Sequence, residues 1–149
     1  MNQTSVIPYL FFGGHCEEAL EFYKKAVNAD VGMMMRFKDS PEKPPPGTVP
    51  EDFDNKIMHT SFRIGNTIIM ASDGCETGDK DSGFSGFSLS IVPTDKEDAA
   101  RMFNALSEGG TVTMPLGETF FSPCFGMLKD RYGLEWMVAM QPEEAPAQA

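Results

Sequence analysis

The chain is poor in the residues that most often bind metals or form cross-links. Its 149 residues include two histidines, His15 and His59, and three cysteines, Cys16, Cys75 and Cys124. The cysteines are far apart, odd in number and form no CxxC pair, which argues against a zinc knot or a dense disulfide framework. Positive charge is also scarce, since 12 basic against 22 acidic residues give a net charge of −10. With no Lys/Arg cluster there is no cationic footprint for phosphates, so nucleic acid is not an expected partner. No apolar run is long enough to span a bilayer, so no membrane partner is expected either. The opening MNQTSVIPYLFF lacks the basic segment and long apolar core of a secretion signal. The expectation is a soluble cytoplasmic protein whose acidic surplus serves solubility.

What is present is a core, with 41% of residues hydrophobic, and a repeated order of elements. Ser5–Phe12 reads as a strand. After Gly13-Gly14, the segment HCEEALEFYKKAV sets Cys16, Ala19, Leu20, Tyr23, Ala26 and Val27 at helical spacing. Val31–Phe37 gives a second strand, and the stretch Asp39–Asn55, with five prolines, is a long loop in part polyproline II. A hairpin follows, with strands near Lys56–Ile64 and Thr67–Ser72 and a primed turn at Gly65-Asn66. The second cycle opens with a strand at Gly86–Val92. Its helix has Thr94 as N-cap and Glu97 completing a capping box. Ala99, Met102, Phe103 and Leu106 form that helix's buried stripe, and Gly109 stops it. Thr111–Leu116, Phe125–Lys129 and Leu134–Met140 are the last three strands, with DRYG as the final turn. The tail at 143–149 is expected to be flexible.

The order therefore runs twice through two βαβββ repeats, about 5–73 and 84–140. Each half by itself leaves one sheet face bare. The expected architecture is α+β, a curved mixed sheet with helices on the outer face and a cavity inside the curve.

PYLFFGGHCEEALEFY, HTSFRIGNTIIMASD and ETFFSPCFGMLKDRYGLEWM, in this order and at these spacings, carry a resemblance. The chain resembles the vicinal-oxygen-chelate superfamily of glyoxalase I, bleomycin-resistance proteins and extradiol dioxygenases, and within it the PhnB-like branch. The likeness spans about residues 7–140. It implies a single glyoxalase-like domain over residues 1–142 and a homodimer enclosing a small-molecule cavity. Some proteins similar to this branch carry a ubiquinone-methyltransferase label. GGHCEE, however, is no glycine-rich dinucleotide fingerprint, and no cofactor is expected.

The resemblance also implies where a metal would sit in metal-dependent relatives. Those positions fall at Pro8, near Met70, at Gly86 or Phe87, and at Met137. None is a normal ligand for zinc, nickel or ferrous iron, because a thioether is too soft and the others have no lone pair to give. The expectation is that no metal is held.

His59 lies on a neighbouring strand. Alternation puts Ile57, His59, Ser61 and Arg63 on one face, and Met58, Thr60, Phe62 and Ile64 on the other. The second set is suited to packing on a helix, and the first then faces the cavity. There His59 is a candidate catalytic or hydrogen-bonding group at neutral pH; the alternative is a structural histidine. Ser61 and Arg63 are candidate ligand contacts, with Arg63 able to clamp a carboxylate or phosphonate. Met70 and Met137 offer adaptable apolar surface, and Phe121 with Phe120 and Phe125 an aromatic wall. His15 reads as a helix-terminus residue, Asp73 as a turn cap or ligand contact, and the loop at 41–50 as a lid or a disordered excursion. The leading functional expectation is a metal-free, PhnB-like small-molecule-binding protein. The alternatives are a glyoxalase-type metal-dependent lyase, isomerase or dioxygenase, and a metal-independent enzyme with His59 as general base.

Overall fold

A computed structural model describes residues 3–41, 51–74 and 84–142. The loop residues 42–50, the tail 143–149 and Cys75 lie outside the described residues. The chain divides into two compact units, Met1–Gly83 and Phe84–Ala149, and each holds one repeat.

The first unit runs β1 (Tyr9–Phe11), α1 (Cys16–Val27), β2 (Asp30–Arg36), β3 (Ile57–Ile64) and β4 (Thr67–Ser72). The sheet order is β1-β4-β3-β2, with β1 parallel to β4 and the other pairs antiparallel. The stripe expected from helical spacing is the stripe that α1 buries: Cys16, Ala19, Leu20, Tyr23, Ala26 and Val27. Tyr23 packs at a tilt against Phe12 and stacks on Phe62 of β3, with ring centroids 6.2 and 6.3 Å apart. Thr60 and Phe62 of β3, with Ile69 and Ala71 of β4, complete this core. Gly65, at φ +57, makes the first position of the two-residue turn between β3 and β4. That is the sign pattern of a primed turn beginning with glycine.

The second unit runs β5 (Leu89–Ile91), α2 (Lys96–Ser107), β6 (Thr111–Gly117), β7 (Phe125–Lys129) and β8 (Glu135–Ala139). Its order, β5-β8-β7-β6, repeats the topology of the first. Phe103 of α2 presses so closely on β7 that a Cβ at Gly126 would lie 2.6 Å from its ring. The α+β glyoxalase-like repeat is as expected. Its hydrogen-bonded ladders are two four-stranded sheets, because each described strand finds its partners within its own repeat.

Several boundaries differ from the sequence expectation. β1 and β5 are three residues each, far shorter than Ser5–Phe12 and Gly86–Val92, because β4 and β8 offer each of them only three partners. Phe37 leaves β2 for a single 3-10 turn, where it is buried against Phe53 with ring centroids 6.0 Å apart. The N-cap of α2 is Asp95, not Thr94: its carboxylate accepts the Asp98 N–H at 2.7 Å. Two good capping residues stand side by side here, and the carboxylate takes the position. Ile57 does not share an open face with His59. The β2–β3 register slips between Met35↔His59 and Arg36↔Ile57, so Met58 is an extra residue and Ile57 is fully buried.

Candidate ligand-binding face

The face of the first sheet turned away from α1 gathers most of the expected site. His59, Ser61 and Arg63 lie along β3 on the side opposite buried Thr60 and Phe62. Met70 of β4 pairs with Ser61 on one side and Tyr9 of β1 on the other, giving one cross-strand row of Tyr9, Met70 and Ser61. Arg63 pairs with Ile68 on β4 and Asp30 on β2. These residues edge a small hollow of about 120 Å³, lined by Asp30, Gly32, Ser61, Phe62, Arg63 and Ile68.

Tyr9 reaches over β4 to His59, its Oη 3.0 Å from Nδ1. The same phenol ring lies 5.0 Å from Phe11. Tyr9 was not among the expected site residues, though its alternation with buried Leu10 was the available signal.

The other two expected ligand contacts belong to the second unit. Met137 of β8 pairs with Ser90 of β5 and Met127 of β7, on the side opposite buried Trp136 and Val138. Phe121 precedes β7 and stands edge-on between Phe120 and Phe125, 5.0 Å from each. It helps line an open groove of about 650 Å³ with Lys96, Glu118, Ser122, Met140 and Pro142.

Asp73 is fully engaged in structure. Its Oδ1 accepts from Gly14 N and Cys16 N, and its Oδ2 from Ile57 N, all at 2.8 Å. The buried carboxylate thus joins the entry of α1 to the start of β3. His15 stands at the N-cap of α1 without capping it, and bonds Glu18 at 3.0 Å instead. Burial, with Asp73 and Glu17 nearby, pushes the Cys16 thiol well above the usual thiol range, so it is no nucleophile. A second buried carboxylate, Asp130, escaped the sequence reading. It accepts from the Tyr132 and Leu134 N–H groups and from the Trp136 indole, at 2.8, 3.1 and 2.9 Å.

The family model described as 3-demethylubiquinone-9 3-methyltransferase matches residues 4–139. The chain belongs to that family. It is 32% identical over 138 residues to Protein YjdN of Escherichia coli (strain K12), covering 88% of this chain and 91% of that one. Among solved structures it is similar to PA1353 from Pseudomonas aeruginosa, at 39% identity and TM-score 0.77, over 93% of this chain and 98% of that one. A PhnB protein from Bacillus cereus follows at 25% identity and TM-score 0.74, over 92% and 99%. The fosfomycin resistance protein FosX from Listeria monocytogenes, 11% identical with TM-score 0.60 over 97% and 98%, shares the fold alone. The family match and the PhnB protein bear out the PhnB-like resemblance, and FosX bears out the glyoxalase-like fold.

Two groups that the family and superfamily imply can be tested against these residues. A methyl donor of the nucleotide type is commonly held at a glycine-rich turn from strand to helix, by its free N–H groups. The Gly13-Gly14 turn from β1 to α1 does not fit, since Gly14 N and Cys16 N are already spent on Asp73. For a metal, the strand register replaces two of the aligned positions. Tyr9, not Pro8, shares the row of Met70, and Ser90 is the β5 partner of Met137, while Gly86 and Phe87 precede β5. A phenol beside a thioether in the first unit, and a hydroxyl beside a thioether in the second, are each poor donors for a divalent ion. Among the described residues, no three His, Cys, Asp or Glu side chains come together to hold one.

Proposed function

We propose that this chain is a PhnB-like small-molecule-binding protein that takes its ligand on the helix-free face of its first sheet and uses no divalent metal. His59 and Arg63 fix the ligand's polar end, Ser61 adds a hydrogen bond, and Met70 supplies yielding apolar surface. In the second unit, Met137 and Phe121 are candidate apolar contacts of that unit's own. The working form is a cytoplasmic homodimer.

One observation carries this reading. The face that gathers His59, Ser61 and Met70 also leaves Tyr9, Phe11 and Ile68 exposed, at 39%, 58% and 42% of their surface. Large apolar side chains beside convergent polar groups are the usual composition of a small-molecule site. The metal-free part rests on the donor chemistry of Tyr9 and Met70 in the first unit and, separately, of Ser90 and Met137 in the second.

A thermal melt against small phosphonates, aromatic antibiotics and thiol adducts tests the proposal. At least one class should raise the melting temperature of the native chain, and His59→Ala should remove that rise. Elemental analysis of protein purified without chelators should find less than one metal per chain. Stoichiometric metal that disappears in His59→Ala would overturn the metal-free reading in favour of a glyoxalase-type metal enzyme.

A further inference from the structure

The bond between Tyr9 and His59 spans a whole strand. Tyr9 is on β1 and His59 on β3, with β4 between them in the sheet. Oη and Nδ1 lie 3.0 Å apart, and the two rings are tilted with centroids 5.7 Å apart. Phe11 also packs on the phenol, with ring centroids 5.0 Å apart. A bond made over that reach fixes the orientation of the imidazole as well as its position.

The relative acidity of the two groups assigns the proton in this bond. Of the two neutral groups the phenol is the better acid and the imidazole the better base, so Oη–H donates and Nδ1 accepts. A neutral imidazole has one N–H, which is then at Nε2. We infer that Tyr9 is a positioning residue: it holds His59 in the Nε2–H tautomer, so that the histidine offers a ligand a hydrogen-bond donor and not a base.

This inference rests on the reading that His59 meets the ligand, and it narrows the ligand's chemistry. Along β3, Nε2–H, the Ser61 hydroxyl and the Arg63 guanidinium become three donors in one row. Arg63 forms no ion pair among the described residues. Such a row suits an oxyanion, a carboxylate or a phosphonate, whose oxygens only accept. It does not suit a reaction in which neutral His59 removes a proton, because the lone pair of its basic nitrogen is engaged by Tyr9.

The test is long-range proton–nitrogen NMR on the ¹⁵N-labelled full chain, about two pH units above the ordinary imidazole pKa. With two histidines in the sequence, a His15→Gln variant assigns the signals. The wild type should show His59 protonated at Nε2, with Nδ1 as an acceptor. Tyr9→Phe, which keeps the ring, should let the Nδ1–H form appear. A wild-type His59 protonated at Nδ1 would overturn the inference by itself, whatever Tyr9→Phe does to folding. So would a tautomer ratio left unchanged by Tyr9→Phe. Titration with methylphosphonate and with acetate then tests the ligand class. The wild-type Nε2 signal should move, and Tyr9→Phe should bind about three- to tenfold more weakly, the loss expected for one ordinary hydrogen bond. If the tautomer behaves as stated and neither acid moves the His59 signals, the positioning role stands and the choice of this face as the ligand site falls.

Discussion

At the scale of single residues, the buried carboxylates matter more to the fold than any exposed ion pair. Asp73 accepts three backbone N–H bonds from Gly14, Cys16 and Ile57. Asp73→Ala would leave those donors without their acceptor, and a buried unsatisfied donor costs ~1–3 kcal/mol. Such costs do not add fully, so the expected loss is on the order of 3 kcal/mol, read as a lower urea midpoint by far-UV circular dichroism. A loss below about 1 kcal/mol would show that water replaces the carboxylate. The side-chain alternation of β3 was legible in the sequence, because Thr60 and Phe62 against His59 and Ser61 follow the period of two. The role of Asp73 was not. Two of its donors lie 57 and 59 residues away, at Cys16 and Gly14, and no local pattern brings them together.

At the scale of elements, α1 is tied to the end of β2 by a forked pair. Both Glu17 oxygens accept from the Arg36 guanidinium at 2.8 Å, and Arg36 also donates to the Asn55 carbonyl at 2.8 Å. Arg36 holds the Glu17 carboxyl below its usual range, chiefly by this hydrogen bond. A carboxyl lowered in the fold stabilises the fold above its unfolded pKa of roughly 4.3, and the contribution is lost as pH falls through the lower folded value. The wild type should therefore exceed Glu17→Gln in urea midpoint at neutral pH, by a small margin because the pair is largely exposed. That margin should close at acid pH. A margin that persists there would assign it to packing. The helix itself could be read directly from spacing, whereas strand lengths could not. Ser5–Phe12 has strand-like composition over its whole length, yet β1 is only as long as its three partners on β4 permit.

At the scale of the molecule, the two βαβββ repeats were visible as an order of elements, and the two sheets share one topology. Both histidines of the sequence fall in the first repeat, and the helix-free faces differ accordingly. The first carries His59, Ser61 and Arg63; the second carries Ser90, Met127 and Met137. Periodicity shows which side a residue takes but not which residues share a row, so the pairing of Tyr9 with His59 had to come from the structure. The proposed homodimer has a direct check. Sedimentation equilibrium at micromolar concentration should return twice the 16.4 kDa chain mass, and a single-chain mass there would refute it.

The second buried carboxylate has a practical consequence. The only indole in the sequence, Trp136, is 2% exposed and gives its N–H to Asp130 inside the second unit. Its fluorescence is therefore an unlabelled optical reporter of that unit, shielded from quenchers in bulk water. The first unit, with no tryptophan, is silent at that wavelength, so this signal follows the melting of the second repeat alone, without an added dye.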